Sequence, residues 1–208
     1  MLAELAGFLA VAAVVICTPG PDTALTVRNV LAGGRRGGVW TAAGVAMGQS
    51  VWTLLASAGV AGLLAASRPL FLGLKFFGVA YLMYLGAQSL RAAWANREHG
   101  LQPATCSPRL TPRRALRQGL VNNLANPKMA AFFTSLLPQF APAGMPPFAA
   151  YVELGLLFCV LTFGWLTAVS LLVTKAGRWM FRAKVRRSMD AVAGCVLIGF
   201  GVRLAIVR

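Results

Sequence analysis

The chain has 208 residues, 58% of them hydrophobic and 12% charged, with mean hydropathy +0.69. An ordinary soluble domain is about a quarter charged. These figures exclude a water-soluble globular enzyme, a disordered tail and a disulfide scaffold, and they point to an all-α polytopic membrane helix bundle. The net charge of +15 would suit a phosphate binder, but the cations stand between apolar runs and not on one polar face, so no nucleic-acid partner is expected.

Six apolar segments follow in chain order. The first, Leu5 to Leu31, is interrupted by Thr18, Pro19, Gly20, Pro21 and Asp22. Gly33-Gly34 and Gly37-Gly38 then bracket Arg35-Arg36 as a tight loop. The second segment, Val39 to Ala66, is free of charge but carries Gln49 and Ser50. The third, Leu70 to Leu90, has Lys75 near its start and Tyr81 deep enough to reach a cavity, to pack, or to anchor at the interface. Ala92 to Arg114 is the longest connection, and Thr111-Pro112 at its end reads as an N-cap with a first-turn proline. The fourth segment, Ala115 to Leu137, is interrupted by Asn126, Pro127 and Lys128. The fifth runs from Phe148 to Val173 with Glu153 near its start. The sixth runs from Met189 to Val207, with Asp190 and Arg203 near its ends and Ser188 as a cap.

The spacing predicts one transmembrane domain, 1–208. It divides into a first repeat at about 1–91, a cytoplasmic loop at about 92–113 and a second repeat at about 114–208. Fifteen of the 20 Lys and Arg residues fall in alternate loops. That bias puts these loops in the cytoplasm and both termini in the periplasm. Trp179 and Phe181 among the cations of the fifth loop suit either an interfacial helix on membrane lipid or a solvated loop. The N-terminus has only Glu4 before its apolar run and continues past a proline break, so it is expected to be retained. The four cysteines lack CxxC spacing and His99 is the single histidine; no metal site and no cofactor are expected.

The two interruptions are the informative features. Proline frees backbone carbonyls at bilayer depth, and such backbone survives only inside protein or along a wet cavity. The broken spans are the first members of two three-span halves. An odd number of spans makes the second half enter from the opposite side, so six spans form two inverted three-helix repeats. Broken helices at matching places in inverted repeats mark substrate sites. Gly20 can cap the second half-helix with Pro21 first and Asp22 second; Asn126 can cap its counterpart with Pro127 first and Lys128 second. Asp22 suits a helix N-terminus, and could be no more than a capping acid. Lys128 does not: at mid-bilayer it costs on the order of 3 kcal/mol and needs compensation, by snorkelling or by Asp22 as its partner. Asn122 and Asn123 lie one turn before Asn126. Gln49 and Gln118 serve either the site or interhelical hydrogen bonds worth about 0.6 kcal/mol each. Gly44 and Gly48 read as close helix packing.

The block from Thr18 to Asp22, the run Gly33 to Gly38, Gly44 to Gly48, Tyr81 to Gly86 and the run from Gln118 to Lys128 together resemble the LysE/RhtB amino-acid exporter family. The resemblance covers nearly the whole chain. It implies a bacterial inner-membrane exporter of amino acids or close derivatives, protons as the coupling ion, and a homodimer or other homo-oligomer. An amino acid is a zwitterion, so the site must offer a partner to each charge. Half-helix N-termini near Pro21 and Pro127 can take the carboxylate, with Lys128 adding positive charge. Asp22 can accept the ammonium or carry the coupling proton. The alternatives are a membrane enzyme acting on a lipid, for which the chain lacks a paired nucleophile and base, and a transporter of another substrate class.

Overall fold

The computed structural model describes residues 2–18, 20–66, 110–141 and 144–176, with scattered helical positions between 73 and 94 and between 191 and 202. Most of the third and sixth segments, most of 92–109, all of 177–190, Pro19 and Tyr81 lie outside the described residues. Every described element is helical and none is a strand.

Helix α1 spans Leu2–Cys17 and ends where the break begins. Thr18 closes it by donating both its N–H and its hydroxyl to the Val14 carbonyl, at 2.9 and 2.6 Å. Helix α2, Pro21–Ala66, starts with a proline that has no N–H to lose. It is two arms, 21–33 and 35–66, joined at Gly34, whose φ of 61° and ψ of −162° are open in practice only to glycine. The expected loop is therefore a one-residue reversal, and Arg35 and Arg36 are already helical. The arms run back along each other. Asn29 Nδ2 donates to Thr41 Oγ1 across them at 2.9 Å, and a Cβ on Gly37 would strike the Asn29 carbonyl.

Helix α3, Pro112–Leu124, opens on Thr111, whose hydroxyl accepts from the Arg114 N–H at 3.3 Å, as the Thr-Pro pair led one to expect. Helix α4, Pro127–Ala131, leads into a π-helical turn, Phe132–Leu136, and a 3-10 turn, Leu137–Phe140. Helix α5 spans Pro147–Ala176.

Within α5, Pro147–Lys175 has mean hydropathy 2.3 over its most apolar stretch, and its 29 residues are long enough to cross a bilayer. The side chains are distributed as a membrane protein requires. Leu31, Trp40, Leu54, Leu55, Val160 and Leu172 face outward, while Asp22, Asn29, Gln49, Asn123, Asn126 and Ser170 are buried.

Two kinds of packing position the site. An apolar cluster joins Phe8, Val11 and Val15 of α1 to Met129, Phe132 and Phe133 beyond the second break and to Phe158 of α5. Phe132 stacks on Phe158 at 4.2 Å, and Phe133 meets the same ring edge-on at 5.6 Å. On the other side, the 35–66 arm touches α3 backbone to backbone. A Cβ on Gly44 would meet the Leu116 carbonyl, and one on Gly119 would meet the Thr41 carbonyl. Gly48 abuts the Asn123 side chain. This close approach, expected of Gly44 and Gly48, sets α3 at the depth from which its asparagines reach the first break.

Candidate functional site

The first break leaves the carbonyls at the C-terminal end of α1 without helical partners, because the chain leaves the helix before it can supply donors. The α1 last turn carries no basic residue of its own. Lys128, from the other broken segment, fills that role: its Nζ donates to the Val15 carbonyl at 2.6 Å and to the Thr18 carbonyl at 3.4 Å. A cation at the negative end of a helix is favoured by the aligned peptide dipoles.

Asp22 lies in the first turn of α2 and is buried. Its carboxylate accepts three side-chain amides. Asn122 Nδ2 reaches Oδ1 at 2.6 Å, and Asn123 Nδ2 and Asn126 Nδ2 reach Oδ2 at 2.9 and 3.2 Å. Each such bond to an ionised group is worth about 1.5–3 kcal/mol. Asn126 also caps α4, its Oδ1 accepting from the Lys128 N–H at 3.0 Å.

The two breaks thus come together, but not through an Asp22–Lys128 ion pair; among the described residues the two charges do not pair. Asp22 and Lys128 face the same hollow without direct contact, and their direct hydrogen bonds are separate, carboxylate with amides and ammonium with carbonyls. The physical reason is local. A broken helix presents free carbonyls to the nearest cation, and three amide donors surround the acid.

Gln49 is buried in the 35–66 arm. Its Nε2 donates to Thr162 Oγ1 of α5 at 3.2 Å and contacts Met129 Sδ at 3.7 Å, while its Oε1 has no partner. Asp22, Gly20, Lys128, Asn126, Gln49 and Thr162, with Phe158 and Leu166, line a hollow of about 20 Å³. That is room for about one water molecule. A second cavity of about 780 Å³ is lined by Pro21, Asn122, Asn126 and Pro127 and by Arg28, Arg114 and Arg117. Asn126 belongs to both walls.

Of the residues singled out from sequence, the structure brings together Gly20, Pro21, Asp22, Gln49, Asn122, Asn123, Asn126, Pro127 and Lys128. Tyr81 and Pro19 lie outside the described residues. Sequence reasoning missed Thr162, whose neighbours in α5 are apolar and whose hydroxyl gives no sign of its partner. It also missed the shared use of Arg28, Arg114 and Arg117, counted only as loop charge.

The family model described as LysE type translocator matches residues 13–208. The chain is similar to the leucine efflux protein of Klebsiella pneumoniae, 31% identical over 97% of this chain and 94% of that one. It is 30% identical to the homoserine/homoserine lactone efflux protein of Salmonella typhimurium, over 92% of this chain and 90% of that one. An uncharacterized membrane protein of Bacillus subtilis, YrhP, is 28% identical over 98% of this chain and 99% of its own. No solved structure matches the chain.

Proposed function

The chain belongs to the LysE type translocator family, and from that premise we propose that it exports amino acids or close derivatives across the bacterial inner membrane, driven by protons. It is a transporter, not an enzyme. The names of two relatives, leucine efflux and homoserine/homoserine lactone efflux, support the substrate class. The observation that carries the proposal is the placement of Asp22, a buried acid held across two helical breaks by Asn122, Asn123 and Asn126.

A carboxylate offers about four acceptor positions, and Asp22 uses three of them on amides. A substrate ammonium takes the fourth and competes for the others. The substrate carboxylate takes Lys128 in place of the α1 carbonyls. A proton on Asp22 makes its bonds to the amides neutral, and bonds to an ionised acceptor are roughly twice as strong as neutral ones. Protonation therefore loosens the latch between the breaks, while deprotonation tightens it. This links proton uptake to movement of the two broken segments. The hollow beside Asp22 has room for about one water, and the charge rule assigns the arginine-bearing side to the cytoplasm.

The test is efflux from cells preloaded with L-leucine, L-homoserine or other amino acids. Expression of the chain raises efflux of at least one of them, and Asp22→Asn, present in the membrane at the same level, does not. Equal efflux from both proteins, or none from the wild type across the panel, contradicts the proposal.

A further inference from the structure

Arg28 comes from the first arm of α2, and Arg114 and Arg117 come from the first turns of α3. Arg28 is far in sequence from the other two, yet all three line the same cavity of about 780 Å³, which no Asp or Glu lines among the described residues. Each is exposed, and among the described residues none is paired with a carboxylate. Gln118 stands beside them. Its Oε1 accepts from Asn29 Nδ2 at 2.9 Å, which leaves its own NH₂ as a further donor on the wall. Asn122 and Asn126, two of the three amides that hold Asp22, line the same cavity.

Such an arrangement has a chemical preference. A guanidinium presents a planar fork of N–H donors that matches a carboxylate, and it stays charged at any working pH. Three of them around one hollow, without a counter-charge in its lining, raise the local concentration of anions. A solvated basic loop would scatter its cations, and a lipid-binding set would lie on the lipid-facing surface. These line a hollow that also reaches Asn122 and Asn126, two of the amides bonded to the acid between the breaks.

We propose that this vestibule is a carboxylate-recognition site, where the amino acid docks through its α-carboxylate before its ammonium reaches Asp22, and that Arg28 and Arg117 determine that preference. The site rests on the exporter role proposed for the chain. It adds a selectivity that the role does not require: free amino acids are admitted and their amides, which are cations without a carboxylate, are not.

The test uses the full chain in two ways. In inside-out vesicles, uptake of labelled L-leucine and L-homoserine is measured for the wild type, Arg28→Gln, Arg117→Gln and Arg117→Lys, with Arg35→Gln as a control outside the cavity. The Gln variants raise KM by about tenfold with little change in Vmax. Arg117→Lys recovers part of the loss, and Arg35→Gln matches the wild type. In detergent, phenylglyoxal labelling of Arg28 and Arg117 is followed by peptide mass spectrometry. Either amino acid protects both arginines, and leucinamide and homoserine amide do not.

Unchanged KM in both Gln variants, with transport intact, overturns the site and leaves the exporter role standing. Protection by the amides, or by phosphatidylglycerol in place of the amino acid, also overturns it. Protection by the amino acids without any uptake supports the vestibule and removes the exporter role instead. Neither uptake nor protection removes both.

Discussion

Asn126 joins the two breaks with one side chain. Its amide nitrogen donates to Asp22 Oδ2 at 3.2 Å, while its amide oxygen accepts from the Lys128 N–H at 3.0 Å. The residue that starts one half-helix therefore also holds the acid that lies in the first turn of the other. Neither end of the amide can be exchanged for the other.

Asn126→Asp keeps the cap on α4 but sets a second carboxylate against Asp22. It is expected to abolish export while the protein still inserts. Asn126→Ala loses the cap, about 1 kcal/mol, and one bond to the acid. It is expected to lower the thermal midpoint of the detergent-solubilised protein and leave partial export. Melting curves and efflux on the two variants check both. Full export by Asn126→Asp would show that the site does not need a donor to Asp22 at that position.

Lys128→Ala removes the cation from the Val15 and Thr18 carbonyls and returns the end of α1 to an unsatisfied state. It is expected to reduce efflux far more than Lys75→Ala does. Comparable, mild effects of the two would mean that the ammonium of Lys128 reaches water and has no part in holding the breaks.

Gly119→Leu drives a side chain into the Thr41 carbonyl where α3 crosses the second arm of α2. Overpacking of this kind costs about 1–3 kcal/mol, and the shift moves Asn122 and Asn123 away from Asp22. Loss of thermal stability and of export together is the expected result. Substitution at Gly164, where an added Cβ meets nothing within 4 Å, leaves both unchanged.

Gln49→Leu removes a buried amide with one unpaired oxygen. Deleting an unpaired polar atom costs little stability, so the melting temperature is expected to hold or rise. Export is expected to fall, because Gln49 lines the hollow beside Asp22 and Lys128. A parallel fall in stability and export would instead make its bond to Thr162 the reason for its presence.

Much of this site is legible in the sequence because prolines and charges in an apolar run conflict with their surroundings. Pro21, Asp22, Asn126, Pro127 and Lys128 are conspicuous for that reason, and the caps at Thr111 and Asn126 follow from local chemistry. The partner of Lys128 is not legible, because backbone carbonyls carry no letter; only the geometry of a helix end exposes Val15 and Thr18. The one-residue reversal at Gly34 is hidden among four glycines, of which only Gly34 among the four takes positive φ. Thr162 and the three vestibule arginines meet their neighbours through folding across more than a hundred residues in the first case and across two helices in the second.

The central claim is that Asp22, held by three amides between the breaks, handles the substrate itself. Counterflow in proteoliposomes tests it most directly, because exchange of labelled for unlabelled amino acid needs binding and movement but no proton gradient. The wild type and Glu153→Gln, which alters an exposed acid of α5, are expected to exchange at the same rate, and Asp22→Asn not at all. Exchange by Asp22→Asn at the wild-type rate would contradict the account.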